Sequence, residues 1–329
     1  MDYLILLAPA ANRVYAAAAS VLVAAELQIL LGGRSAEPTT LSGVTYLAVS
    51  GDESDLTQIG QLSAGYAVFE RVGEHLRPVE VPRTDRFEED LVSIPKYSGK
   101  TNEQFTRLLT NITLARVERL PSRRISILDP LCGRGTTLST GLILGHDVAG
   151  VDSDTKAVEA YASFLKTYLR RKRLKHSAEL TPVRREGRSI GRRLDVHVTP
   201  ADGGEPQNLT VFTGDTRQSA ALFGKRRFDA IVADAPYGVV HGSDAGTKRD
   251  RSAAGLLAAA LPVWVTQLRS GGALGLAWNA LGVRREALVE LAVEAGLEPL
   301  DEGPFRCFAH RVDSSIQRDV LVATKPSPG

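Results

Sequence analysis

The segment Asp129-Pro130-Leu131-Cys132-Gly133-Arg134-Gly135-Thr136 follows an apolar run, Ile125 to Leu128, and leads into a helical one. Glycines at a strand-to-helix turn let the backbone bend sharply and approach a ligand closely. The helix start beyond them presents free N–H groups. A nicotinamide dinucleotide site would place a third glycine where Leu138 stands, so that fingerprint fails. Asp129 precedes the glycines instead. About 20 residues on, Gly150-Val151-Asp152-Ser153-Asp154 closes the next apolar run, where a carboxylate is placed to hold ribose hydroxyls. Asp215, in Thr213-Gly214-Asp215, follows a third run. Acids at three successive strand ends beside such a turn predict a nucleoside site.

The ligand that suits this set is S-adenosylmethionine. Asp129 would receive its ammonium or nearby polar groups, Asp152 and Asp154 its ribose, and Asp215 its adenine amino group. Pro130, Gly133, Gly135 and Thr136 would form the turn around it, with Cys132 only a small turn residue. After a fourth apolar run comes Asp234-Ala235-Pro236-Tyr237-Gly238. An exocyclic amine of a nucleobase is a poor nucleophile, because its lone pair is delocalised into the ring. Two acceptors for its hydrogens turn the lone pair outward. Asp234 supplies one and the carbonyl of Ala235 the other, while Tyr237 stacks on the base and holds it in line.

These residues need a scaffold of alternating strands and helices. Apolar runs predict strands at Ile125 to Leu128, Val148 to Val151, Leu209 to Phe212, Ala230 to Ala233, Ala273 to Ala277 and Asp319 to Ala323. Helices are expected over Thr136 to Leu144, Thr155 to Leu169, Leu256 to Leu268 and Arg284 to Ala295. Such alternation implies an α/β fold with a mostly parallel sheet and helices on both faces. Ahead of it, Thr101 to Arg119 reads as a helix capped by Thr101, with Gln104 completing a capping box. Residues 1–90 read as a small N-terminal α+β domain and 95–329 as the catalytic domain, joined by a charged linker, Arg83 to Pro95. In the first part, strands are expected at Tyr3 to Ala8, Val44 to Val49 and Tyr66 to Arg71, and an Ala-rich helix at Asn12 to Leu31 ended by Gly32-Gly33. That helix contains Glu26 and Gln28, which favours burial over a membrane span.

The 329 residues carry a net charge of only +2, unevenly spread. Lys166 to Arg193 holds eleven Lys/Arg against two Glu, so the remainder is net acidic. Arg170, Arg171, Lys172, Arg173, Lys175, Arg184 and Arg185 are the candidate phosphate contacts, beside the predicted site. A basic helix end opposing the dipole is the plainer alternative. Gly238 to Arg251, with His241, Lys248 and Arg249, reads as a lid, and Trp264 and Trp278 as core. Two cysteines give neither a disulfide framework nor a metal cluster, and the start lacks a basic, apolar leader, so a cytoplasmic location is expected.

Asp129-Pro-x-Cys-Gly-x-Gly-Thr136, Gly150-x-Asp152-x-Asp154 and Asp234-x-Pro-Tyr-Gly238 resemble the amino-methyltransferases with an (Asp/Asn)-Pro-Pro-Tyr motif. The Asp-Pro-x-Cys-Gly form and the trailing Tyr-Gly are most similar to tRNA guanine-N2 methyltransferases and their THUMP-associated relatives. Lys100 to Leu114 resembles the helix those enzymes place before the first strand. The resemblance spans roughly Ile94 to the C-terminus. It implies a Rossmann-like, seven-stranded class I methyltransferase sheet with the last strand antiparallel. It also implies S-adenosylmethionine as cofactor and tRNA as partner, and no metal is expected. It carries cofactor contact onto Asp129, Gly133, Gly135, Asp152 and Asp215, and catalysis onto Asp234, Pro236 and Tyr237. The chain departs from the family at Ala235, where the motif has proline, and shows no THUMP domain. DNA adenine-N6 or cytosine-N4 methylation, protein glutamine methylation, and nucleic-acid binding without catalysis are the competing readings.

Overall fold

The computed structural model describes residues 1–10, 13–82, 84–118, 124–185, 188–236 and 253–327. Five antiparallel strands form a first sheet: β1 (Asp2–Leu7), β2 (Ala36–Leu41), β3 (Val44–Ser50), β4 (Gly65–Val72) and β5 (His75–Val79). Their order is β2-β3-β1-β4-β5. Helix α1 (Arg13–Leu30) packs on this sheet, and the short α2 (Leu56–Gly60) precedes β4. Alanine makes α1 a strong helix former and keeps it slim, which suits a helix buried on two sides. Val23, Ala24 and Leu27 join the core under the first sheet, while Ala19, Leu22 and Ala25 join the core of the second. Gly32 ends the helix in the left-handed region, with the Gly33 N–H donating to Gln28 O at 2.7 Å.

Glu26 lies inside α1, fully buried, and ties the two parts together. It accepts from the Ser63 N–H and hydroxyl on the first-sheet side and from Asn111 Nδ2 at 2.7 Å on the other. Burial pushes its carboxyl up to about 7, against those hydrogen bonds, which lower it. The Arg83 to Pro95 stretch, expected as a linker, is partly packed, with Asp85, Glu88, Glu89, Ser93 and Ile94 exposed. Phe87, Leu91 and Val92 are buried, and α3 (Asp90–Ser93) forms there.

The second sheet contains β6 (Ser126–Asp129), β7 (Asp147–Asp152), β8 (His176–Arg185), β9 (Arg188–Val198), β10 (Gln207–Thr213), β11 (Phe228–Asp234), β12 (Leu268–Asn279), β13 (Glu298–Leu300), β14 (His310–Arg311) and β15 (Gln317–Thr324). The order is β13-β15-β12-β11-β6-β7-β10-β9-β8, with β14 beside β15. Strands β12, β11, β6, β7 and β10 are mutually parallel, while β15 is antiparallel to both β12 and β13. The expected seven-stranded sheet with its last strand antiparallel is therefore present. Strand order reverses between β6 and β11, the switch point where doubly wound sheets bind ligands.

Helices α4 (Glu103–Leu114), α5 (Thr136–Ile143) and α6 (Thr155–Arg171) cover one face through Leu108, Leu138 and Leu165. Helices α7 (Ser219–Phe223), α8 (Ala253–Gln267) and α9 (Arg285–Glu294) cover the other through Phe223, Trp264 and Leu288. The four outermost strands each carry a proline: Pro38 in β2, Pro78 in β5, Pro182 in β8 and Pro299 in β13. Proline cannot donate to a further strand, so these edges resist pairing with another chain.

The basic insert is a hairpin, β8 paired with β9, where only charge was expected from the sequence. Leu194, Val196 and Val198 alternate inward along β9 while its charged neighbours face out. This splits the basic residues. Helix α6 begins at the carboxyl end of the sheet and runs 17 residues away from it, about 26 Å. Arg170, Arg171, Lys172, Arg173 and Lys175 thus sit at the far edge, contrary to the expectation that they flank the site. The hairpin then returns: Arg193 pairs with Phe212 near the end of β10, and Arg184 lies beyond it, at the rim.

Candidate active site

The carboxyl ends of β6, β7, β10 and β11 bring Asp129, Asp152, Asp215 and Asp234 to one rim. Asp129 is 2% exposed, and its Oδ1 accepts the Leu131 N–H at 3.0 Å. Burial is the main force pushing its carboxyl up to about 7, and the nearby charges of Asp152 and Asp234 push the same way. Pro130 beside it is buried. The turn then folds under hydrogen bonds of its own. Cys132 N–H donates to Val151 O at 3.0 Å and Gly135 N–H to Cys132 O at 2.7 Å. Gly133 N–H donates to Asp152 Oδ2 at 2.7 Å, joining the turn to the next strand end.

Gly133 and Gly135 have φ of +50° and +78°, the left-handed region. Gly135 opens α5, and a Cβ there would lie 2.5 Å from the Tyr161 ring. Tyr161 shares a 3.2 Å hydrogen bond with Ser139. Thr136 shares one of 2.9 Å with the Tyr97 hydroxyl, and the Arg134 guanidinium stands 4.9 Å over the Tyr97 ring. Burial pushes the Cys132 thiol up, which leaves it un-ionised and a turn residue as expected.

Asp152 is organised by backbone: Oδ2 takes the Gly133 N–H and Oδ1 the Asp154 N–H at 2.8 Å. Each oxygen retains further acceptor capacity. Asp154 itself caps α6, accepting from Lys156 and Ala157 N–H. Asp215 accepts the Arg217 N–H at 2.8 Å and pairs with its guanidinium, which holds the carboxyl below the usual range.

Asp234 accepts from Thr101 Oγ1 at 2.5 Å, and Arg318 Nη2 lies 3.7 Å from the same oxygen. Thr101 therefore does not cap α4. Asn102 does, accepting the Phe105 N–H at 3.1 Å. The helix start is shifted by one residue, which frees the threonine for the rim. Ala235 is 2% exposed, and its N–H donates to Ala277 O at 2.8 Å. Proline has no N–H, so a proline at this position could not make this bond. Pro236 is exposed. Tyr237, and the segment with Gly238, His241, Lys248 and Arg249, lie outside the described residues.

Sequence reasoning missed Thr101, Arg318, Tyr97 and Tyr161. Thr101 was hidden by the capping role expected of it, and Arg318 by standing at the start of an apolar strand far along the chain. Trp264 and Trp278 are core residues as expected, their Nε1 donating to Thr216 Oγ1 and Val283 O. Asn279 locks a turn, accepting from Leu281 and Gln317 N–H.

Of the basic candidates, Arg170, Arg171, Arg173, Lys175 and Arg184 are exposed. Lys172 is committed to Glu88 and Asp90, at 2.8 and 2.6 Å. The Arg185 side chain lies outside the described residues. Nearer the rim, Arg192 pairs with Glu159 and Arg193 with Asp195. Two clefts of about 770 and about 790 Å³ lie between the first sheet and the second sheet's helices, away from the rim. Among the described residues no helix is long and apolar enough to cross a membrane, and no group of three metal-ligating side chains assembles.

No protein-family model matches the chain, and no curated protein matches it. Solved structures do. TrmN from Thermus thermophilus is 16% identical, covering 99% of this chain and 100% of its own, with a TM-score of 0.48. The rRNA methyltransferase aviRa from Streptomyces viridochromogenes is 15% identical over 77% of this chain and 93% of its own, with a TM-score of 0.41. A TehB-like S-adenosylmethionine-dependent methyltransferase from Corynebacterium glutamicum is 19% identical over 62% and 81%, with a TM-score of 0.36. Likeness at this level carries no activity across. By its own strand order and its antiparallel last strand, the second sheet has the Rossmann-like class I methyltransferase fold.

Proposed function

We propose that the chain is an S-adenosylmethionine-dependent methyltransferase acting on an exocyclic amine of a nucleobase in RNA, with guanine N2 of tRNA as the target. The observation that carries this reading is the placement of Asp234 at the switch point, one strand from Asp129 and the glycine turn. The rim residues fit the cofactor. Asp129 is a buried carboxyl without a cationic hydrogen-bond donor among the described residues, which suits an ammonium. Asp152 is pre-oriented by two backbone N–H groups, which suits a ribose diol. Thr136 and Asp215 extend the cradle on either side, while Asp154 acts through the helix it caps.

When bound, the cofactor supplies a methyl group made electrophilic by its sulfonium. The chain's own residues do the rest. Asp234 and the carbonyl of Ala235 accept the two amine hydrogens and turn the lone pair toward the methyl group. Pro236 keeps that turn extended and Tyr237 stacks on the base. Residues 1–90 would serve as an accessory module and 95–329 as the catalytic one.

Occupation of the Asp129 site by a cation favours its ionised form. Asp129 is largely protonated below about pH 7 in the ligand-free protein. Cofactor affinity should therefore weaken as pH falls through 7, by up to about tenfold per unit, with proton release on binding. Calorimetric titration across this range, in two buffers of different ionisation heat, checks it. Asp129→Asn should bind weakly and without the slope; an unchanged slope in that variant would remove Asp129 from the site.

The hairpin end, with Arg184, Arg192 and Arg193, is the proposed phosphate contact because it lies at the rim, whereas Arg170 to Lys175 lie at the far edge. The surface ion pairs of Arg192 and Arg193 are weak enough to exchange for phosphate. Arg184→Glu with Arg192→Glu should weaken RNA binding and flatten its salt dependence. Arg170→Glu with Arg171→Glu should do so much less. The reverse ranking, read by filter binding at several salt concentrations, would overturn this choice.

A further inference from the structure

Asp234 is held from two elements that lie outside the parallel strands, and neither contact was visible in the spacing of the motifs. Thr101 reaches it from the residue preceding the α4 cap, at 2.5 Å from Oδ2. Arg318 reaches the same oxygen from the start of β15, at 3.7 Å, with its side chain 5% exposed. A buried guanidinium is costly unless it is paired and its position is fixed. Both conditions are met here. The guanidinium lies 4.4 Å from the centroid of the buried Phe105 ring, an aromatic face that favours a cation and sets its plane. Behind it, His310 is the cross-strand partner of Arg318, and its ring stands 5.3 Å from Phe105. The His310 Nδ1 bonds Phe308 O at 2.9 Å, and burial lowers the ring's affinity for a proton, so it is neutral near pH 7. Among the described residues, the charged and titratable groups facing Asp234 from the packed strands include Asp129 on β6, Arg318 on β15 and the neutral His310 on β14.

We propose that Thr101 and Arg318 are positioning residues that grip one oxygen of Asp234 and so fix the plane in which its carboxylate meets the substrate amine. This rests on the methyltransferase reading above. A carboxylate free to rotate would spend much of its time off the line of attack, and misplacement by about 1 Å costs on the order of 100-fold in rate. Arginine suits the task because its planar fork stacks on Phe105 while presenting an N–H edge to the acid; lysine offers only a point charge.

The test is a double-mutant cycle of Arg318→Met and Asp234→Asn, with Arg318→Lys, Thr101→Val and Thr101→Ser beside it. It is read first by denaturant unfolding, which needs no substrate. The pair should be coupled: the double variant should lose less stability than the two single losses combined. It is read second by single-turnover methyl transfer. Arg318→Met and Thr101→Val should each slow transfer about 10- to 100-fold, with the RNA KM and cofactor affinity within about twofold of the parent. Arg318→Lys and Thr101→Ser should recover part of the rate. In the Asp234→Asn background, Arg318→Met should add little. Additive stabilities, or transfer unaffected by Arg318→Met, would overturn the inference. Coupled stabilities with no transfer by the parent protein would leave the grip intact and remove the methyltransferase reading instead.

Discussion

Asp234→Ala is expected to lower the rate of methyl transfer by about 100- to 1,000-fold while leaving cofactor affinity within about twofold. The argument is geometric. Asp234 ends β11, on the far side of β6 from Asp152, so the strand that carries the amine acceptor is not the one that carries the ribose acceptor. Removing its carboxylate withdraws an acceptor needed only as the amine loses its delocalisation. The loss falls on kcat rather than on binding. It also removes an ionic contact of the buried Arg318, so some loss of stability accompanies it. Single-turnover kinetics and calorimetry on the same preparation separate the two effects. Full activity in Asp234→Ala would remove the catalytic assignment.

Gly135→Ala should be strongly damaging for a single added methyl group near the rim. Its Cβ would sit 2.5 Å from the Tyr161 ring, and its φ of +78° disfavours any side chain. Tyr161 cannot retreat cheaply, being fully buried in α6 and bonded to Ser139. Overpacking and backbone strain together predict a loss of ~2–5 kcal/mol. The Gly135 N–H also closes the turn onto Cys132 O, so cofactor affinity should fall with stability. Denaturant unfolding of Gly135→Ala alone and with Tyr161→Leu checks the cause. Relief by the second substitution is expected, because only the strain then remains. Equal losses in both backgrounds would place the cost elsewhere.

The motif residues were legible because their roles depend on local geometry. A glycine turn after an apolar run must begin a helix, and acids after successive runs must line one rim once the sheet is parallel. The strand-helix alternation that makes it so was equally visible, from Ile125 to Ala323. What stayed hidden depends on tertiary context. Strands β2 and β5 contain Pro38 and Pro78 and are largely exposed, so they show no alternation to read. The hairpin β8–β9 was masked by charge: five of the eleven basic residues between Lys166 and Arg193 fall on it and obscure the alternation of Leu194, Val196 and Val198. Arg318 meets Asp234 only because β15 inserts antiparallel beside β12, and no local pattern announces that contact. The one-residue shift from Thr101 to Asn102 as helix cap is smaller, yet it decides which hydroxyl reaches the rim.

The most direct test of the central claim is transfer of labelled methyl from S-adenosylmethionine to unmodified total tRNA, with ribosomal RNA, DNA and protein as parallel acceptors, followed by nucleoside analysis. The account predicts label in tRNA, recovered as N2-methylguanosine. Label in DNA or protein would keep the amine chemistry and replace the substrate. Cofactor binding with no label in any acceptor would contradict the account.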